Sequence, residues 1–231
     1  MKSRKENLLL KLINCKKRRK ALWVILPFAV VIFLHANLSG QEIKTSGDFE
    51  YTFINNDLTI TDYLGEVKEL IIPDSIDGFP VTAIGDTAFT DNNLYSVTIP
   101  SSVKTIGEEA FYNNSLSSVF IPNSVTVISD GAFDYNCLDS VNIPQSVKVI
   151  GKEAFCDNLL ESVIIPDSVI EIGENAFSWN DIDYLILPLP KKDGYRFLYW
   201  QDSDGAEYPA DTEIYHLGMG YKAIFEPLER E

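Results

Sequence analysis

Phe89, Phe111, Phe133, Phe155 and Phe177 follow one another at intervals of 22 residues, each preceded by alanine (Ala88, Ala110, Ala132, Ala154, Ala176). The same period carries Asn92, Asn114, Asn136, Asn158 and Asn180, then Leu94, Leu116, Leu138, Leu160 and Ile182. Val97, Val119, Val141, Val163 and Leu185 form the next column, and two positions later come Ile99, Ile121, Ile143, Ile165 and Leu187, each followed by proline. A period of this length means one supersecondary unit per repeat, and such units bury a continuous core by stacking. Within one unit, Ser118-Val-Phe-Ile121 alternates in polarity, so it reads as a short strand with Val119 and Ile121 on one face. Pro122 cannot donate to a ladder, so the strand stops there. After a turn at Ser129 (Gly107, Gly151 and Gly173 in other units), Ile128, Ala132 and Phe133 return apolar groups inward. A single coil buries too little apolar surface to offset the ordering of its own backbone, so the coils must share their burial along the array. The expected fold is mainly β: a solenoid whose equivalent residues stack in columns. The asparagine column reads as a structural ladder, its amides bonding backbone groups and one another along the stack.

The motif Ile-Pro-x-Ser-Val-x-x-Ile-Gly-x-x-Ala-Phe-x-x-Asn-x-Leu-x-Ser-Val resembles the BspA-like (Treponema-type) leucine-rich repeat. Five Ala-Phe coils match over residues 84–188, and Leu70 to Gly85 looks like the family's first repeat, with a five-residue insertion relative to the later coils. The family often has cysteine where this chain has the asparagine column. The resemblance implies a curved leucine-rich repeat solenoid over residues 67–188, with a parallel sheet on its concave side and short helical or 3-10 turns elsewhere. It further implies bacterial proteins, secreted or on the cell surface, that bind other proteins.

Solenoids need covered ends. Phe49-Glu-Tyr-Thr-Phe53 and Leu58-Thr-Ile-Thr61 alternate around Asn55-Asn56-Asp57, a hairpin signal, so residues 41–66 read as an N-terminal cap. Past Pro188 the period stops. Residues 189–231 hold aromatic-rich alternating segments, Gly194-Tyr-Arg-Phe-Leu-Tyr-Trp200 and Tyr221-Lys-Ala-Ile-Phe225, separated by Asp/Gly turns. They resemble the Listeria–Bacteroides (internalin B-type) repeat, departing from it at Tyr199 and Gln201, and imply a small β-grasp-like module that caps the last coil. At the other extreme, residues 1–40 place a basic run ending at Lys20 before the uncharged stretch Ala21 to Ala36, the layout of a secretory signal cut after Ala36 or Gly40, or of a membrane anchor if left uncut. Gln41 stands where a lipidated cysteine would be required, which excludes a lipid anchor.

Charge narrows the function. Residues 1–40 hold nine basic side chains and one acid, 9 − 1 = +8, so the rest carries −15 − 8 = −23. A body that acidic repels phosphate backbones, which argues against nucleic acid as a partner. With only His35 and His216, histidine chemistry has almost nothing to work with. No nucleophile–base pair, metal-ligand cluster or phosphate loop stands out, so no enzyme activity, metal or cofactor is expected. Asp202-Ser-Asp-Gly205 resembles part of a calcium loop but lacks the downstream glutamate. Cys15 lies in the leader. Cys137 and Cys156 fall in adjacent coils offset by three positions, too far out of register for a disulfide, so two thiols are expected.

The strand position between the two buried residues reads Ile71, Thr98, Phe120, Asn142, Ile164 and Ile186, and the neighbouring column ends in Tyr184. A solvent-facing column would ordinarily be polar, and here four of the six are large and apolar. β-propensity alone accounts for branched and aromatic residues on any strand; a contact strip for a protein partner accounts for their exposure. The expected function is an exported, non-catalytic protein-binding or adhesion scaffold whose partner is a host, matrix or envelope protein. The alternative is a structural or assembly component of a bacterial envelope complex. Contact with a membrane is expected only through an uncut leader.

Overall fold

In the computed structural model, residues 42–215 and 217–228 are described. The readings of the leader, including Cys15 and the cleavage positions, lie outside the described residues.

Alternation and proline act locally as expected. Glu69–Ile71, Ser96–Thr98, Ser118–Phe120 and Ser140–Asn142 form a parallel ladder in which equivalent residues are partners: Ile71 beside Thr98, Thr98 beside Phe120, Phe120 beside Asn142. The middle residues Leu70, Val97 and Val119 are buried, and their neighbours on either side are exposed. The equivalent segment of the fifth coil, Ser162 to Ile164, is not a strand, so the ladder lapses there.

A second parallel ladder was not expected. Phe79–Ile84, Thr105–Ile106, Val127–Ile128, Val149–Ile150 and Glu171–Ile172 stack along the array with Ile84, Ile106, Ile128, Ile150 and Ile172 in register. Most of these strands are two residues long, too short to display a period of two in sequence.

The expected helical or 3-10 turns are corrected: no helix is present among the described residues. Thr87, Glu109, Gly131, Glu153 and Asn175 lie in the left-handed region, with φ of 57°, 51°, 61°, 57° and 57°. A pair of such residues per coil, the second four positions after the first (Asp91, Asn113, Tyr135, Asp157, Trp179), breaks a right-handed run. It also turns main-chain N–H groups toward the next coil instead of along a helix: Glu109 N–H donates to Asp130 O (2.9 Å) and Phe111 N–H to Ala132 O (2.9 Å), with equivalents from coil to coil.

Inside the coils the five phenylalanines form one column. Successive ring centroids are 5.1, 5.3, 5.5 and 5.5 Å apart, with planes within 8° of parallel. Coil spacing is set partly by the glycine column. A Cβ on Gly107 would lie 2.6 Å from Asp86 N, and one on Gly151 would lie 2.5 Å from Asp130 N. Ser129 carries a side chain in this column, and its N–H bond to the previous coil (Ile106 O) is 3.4 Å. The glycines make the same bond at 2.7–2.9 Å.

Added strands extend the second ladder at both ends. Phe49–Ile54 and Asp57–Tyr63 form a hairpin with Lys44–Ser46 at its edge, turning through Asn55 and Asn56 at positive φ. Asp57–Tyr63 extends the second ladder beside Phe79–Ile84, and the Tyr63 ring lies 5.8 Å from Phe89, at the head of the column. At the far end Tyr195–Asp202 pairs antiparallel with Tyr221–Pro227 and Glu207–Tyr208. Tyr221–Pro227 runs antiparallel along Glu171–Ile172, and Glu213–Ile214 along Leu185–Ile186. Trp200 is fully buried, its Nε1–H donating to Pro188 O at 2.8 Å. This region is a small antiparallel sheet without a helix, so the β-grasp expectation is met only in its strands.

Cys156 is a buried free thiol, so it is not joined to Cys137. Cys137 is itself disulfide-bonded, and the expectation of two thiols fails for it.

Candidate binding face

The ladder register aligns Ile71, Thr98, Phe120 and Asn142 side by side on the solvent side of the first ladder. Adjacent strands in a sheet are about 4.8 Å apart, so these side chains form one contiguous row. Ile71 is 74% exposed, Phe120 64% and Ile164 85%. Ile164 occupies the equivalent position of the unladdered fifth coil. Ile186 is half exposed on the strand paired with Glu213–Ile214. The sequence did not reveal Tyr215. It follows Ile214 just past the end of the added strand, is exposed, and places its ring 5.8 Å from that of Tyr184. Its hydroxyl donates to Glu213 Oε2 at 2.5 Å, and that bond raises the phenol pKa. The alternation Glu213-Ile-Tyr215 is the only sequence signal for it, and pairing against Leu185–Ile186 is long-range.

Behind this face the asparagines hold the coils to one another through main-chain groups. Asn136 Oδ1 accepts from Leu116 N–H of the previous coil (3.1 Å), and its Nδ2 donates to Phe111 O (2.8 Å), Phe133 O (3.2 Å) and Asp134 O (3.2 Å). Asn114, Asn158 and Asn180 repeat the pattern. Asn92 departs from it: its Oδ1 is buried without a donor. The equivalent N–H, that of Val67, donates instead to the Tyr63 hydroxyl at 3.2 Å.

Asp134, Glu153, Cys156 and Asp157 come together from two adjoining coils. Burial, then the charges of Asp157 and Glu153, push the Asp134 carboxyl from 3.8 up to about 6. Burial, with Asp134 and its neighbours, pushes the Cys156 thiol up to about 12. The folded chain therefore holds a proton on Asp134, between about pH 4 and 6, that the unfolded chain has released. This stabilisation is complete below the unfolded value and is lost as pH rises through the folded one. Asp134→Asn is expected to raise unfolding free energy at pH 7.5 by about 1–2 kcal/mol, less than the full shift implies because water screens a half-buried carboxyl, and to leave it unchanged at pH 4. Denaturant melts at the two pH values check this.

Among the described residues no three His, Cys, Asp or Glu side chains are placed to share a metal ion. Asp202, the calcium-loop candidate, is held within its own turn. Oδ1 accepts from Asp204 N–H (3.0 Å) and Ala206 N–H (2.8 Å), and Oδ2 from the Tyr208 hydroxyl (2.9 Å). Burial opposes its ionisation, but these bonds outweigh burial and lower its pKa. Between the last coils and the C-terminal sheet lies a groove of about 550 Å³ lined by Lys152, Glu171, Glu174, Gln201, Tyr221 and Lys222, of mixed charge. No helix among the described residues is long and apolar enough to cross a membrane.

Comparison with known proteins agrees with this geometry. No curated protein matches the chain. The crystal structure of a T. pallidum leucine-rich repeat protein is 32% identical, over 64% of this chain and 72% of that one, with a TM-score of 0.56. A Bacteroides ovatus leucine-rich repeat protein is 28% identical over 62% of this chain, with a TM-score of 0.54; the chain spans only 40% of it. The pneumococcal vaccine antigen PcpA, 21% identical over 73% of this chain and 54% of its own with a TM-score of 0.52, shares the fold. Residues 62–183 match the model of the BspA type leucine rich repeat region in six copies, over half of the chain, and the chain belongs to that family of repeat scaffolds.

Proposed function

We propose that this protein is an exported, non-catalytic scaffold that binds a protein partner along the outer side of its first ladder. That side is the concave face of a curved solenoid, and the strip is Ile71, Thr98, Phe120, Asn142, Ile164, Tyr184 and Ile186. The observation that carries the reading is Phe120: a large aromatic side chain held 64% exposed on a hydrogen-bonded strand, in register with Thr98 and Asn142. Exposed apolar residues aligned on a rigid frame are what a partner needs for a desolvated contact centre. Tyr184 and Tyr215 supply aromatic contact at the far end. The leader supports export, and the C-terminal sheet, which resembles the internalin B-type repeat, closes the array.

Phe120→Ser with Ile164→Ser is expected to weaken partner binding by at least about tenfold. The melting temperature should stay within about 2 °C of the parent's, because neither side chain is part of the core. Binding by the double variant equal to the parent's would remove the strip from consideration. Partners captured from the envelope and from host matrix, identified by mass spectrometry alongside the mature N-terminus, separate this reading from an envelope-assembly role: a stoichiometric partner from the same cell favours assembly.

A further inference from the structure

The outermost strands of a sheet present unpaired main-chain donors and acceptors. This chain lays a strand of its own against both ends of the second ladder, Asp57–Tyr63 on Phe79–Ile84 and Tyr221–Pro227 on Glu171–Ile172, and Glu213–Ile214 on the separate strand Leu185–Ile186. The first ladder begins at Glu69–Ile71. Among the described residues, its only strand partner is Ser96–Thr98, on the inner side.

The inward bonds determine which groups face out. Lys68 O accepts from Tyr95 and Ser96 N–H (2.7 and 3.3 Å), and Ile72 N–H donates to Thr98 O (3.1 Å). Main-chain groups alternate in direction along a strand, so Glu69 and Ile71 aim their N–H and C=O groups outward. The approach to this strand leaves Leu64 and Val67 54% exposed, apolar surface beside the open edge.

Charge selects the occupant. The Lys68 ammonium is turned to Asn92 O (2.7 Å), while Glu66 and Glu69 are exposed. Edge-to-edge pairing with a second copy would oppose these carboxylates, on bodies of −15 − 8 = −23 each. We propose that the Glu69–Ile71 edge accepts an added strand from an extended basic segment of another protein, in which Lys or Arg alternates with apolar residues. Its main chain pairs with Glu69 and Ile71, its apolar side chains lie on the side of Leu70, and its cations lie on the side of Glu69. This site adjoins the exposed strip at Ile71 but uses the main chain of the edge, whereas the test of the strip turns on the side chains of Phe120 and Ile164.

The probe is a blocked peptide of alternating Lys and Val, titrated into the full chain by calorimetry beside the same peptide N-methylated at every second residue. N-methylation preserves charge and removes the donors a strand needs. Binding that falls at least about tenfold with the methylated peptide, and equally with Glu69→Pro, supports the site. Proline there removes an outward N–H without touching an inward bond, and the methylated peptide tests the same point on the unaltered protein. Equal affinity for both peptides would mean charge attraction alone. That result, no binding, or a dimer in sedimentation that Glu69→Pro dissolves would each overturn the proposal.

Discussion

Phe133→Ala is expected to lower unfolding free energy by about 4–5 kcal/mol, at the upper end of the range for a buried ring. The ring is fully buried and stacked on both sides, 5.3 Å from Phe111 and 5.5 Å from Phe155. Removing it opens a cavity mid-array and ends two ring contacts worth about 0.5–1.5 kcal/mol each beyond area burial. Phe177→Ala, which loses the single ring contact to Phe155, should cost about 1 kcal/mol less. Because each coil leans on its neighbours, a defect at the third coil divides the array. Denaturant melts of the Phe133 variant should broaden and lose single-step character, while those of the Phe177 variant stay cooperative. Equal costs at the two positions would show that the column does not act as one stacked unit.

The second large effect falls on a polar residue. Asn136→Ala removes the acceptor of Leu116 N–H and the donors to the carbonyls of Phe111, Phe133 and Asp134, all in a buried setting. Leu116 N–H is left without a partner, at about 1–3 kcal/mol, while Phe111 O, Phe133 O and Asp134 O keep Asn114 Nδ2, Asn158 Nδ2 and Asn113 N–H as donors, so a total of about 2–3 kcal/mol is expected. Asn136→Asp should be at least as damaging, since a carboxylate offers no donor and faces three carbonyl oxygens. Asn92→Ala, which removes an oxygen that has no donor, should cost under about 1 kcal/mol. Equilibrium unfolding measures the difference, and amide exchange at Leu116 should accelerate only in the Asn136 variants.

These contrasts show how far the repeat itself can be read. The period located every member of the Phe and Asn columns, because a side chain that must fill the same cavity in each coil recurs at the same spacing. It did not distinguish Asn92 from Asn136, since the difference lies in what precedes each coil in space. It missed the second ladder, whose short strands carry no alternation, and the family resemblance implied helical turns where left-handed residues such as Thr87 and Glu153 direct N–H groups to the next coil. At the candidate face, the column from Ile71 to Ile186 was legible as alternation around buried valines. Tyr215 was not, because a strand about thirty residues downstream reaches that face by pairing antiparallel with Leu185–Ile186.

The sequence by itself determined the coil, its length, its buried columns and the exposure of the strip, all consequences of local alternation, proline stops and a repeated volume. Tertiary structure alone decided how the array ends, which coil breaks the first ladder, why the Asp134 carboxyl holds its proton, and that no other described strand covers the Glu69–Ile71 edge. Those outcomes depend on main-chain bonds and charges between residues remote in the chain, and no local pattern encodes such pairings.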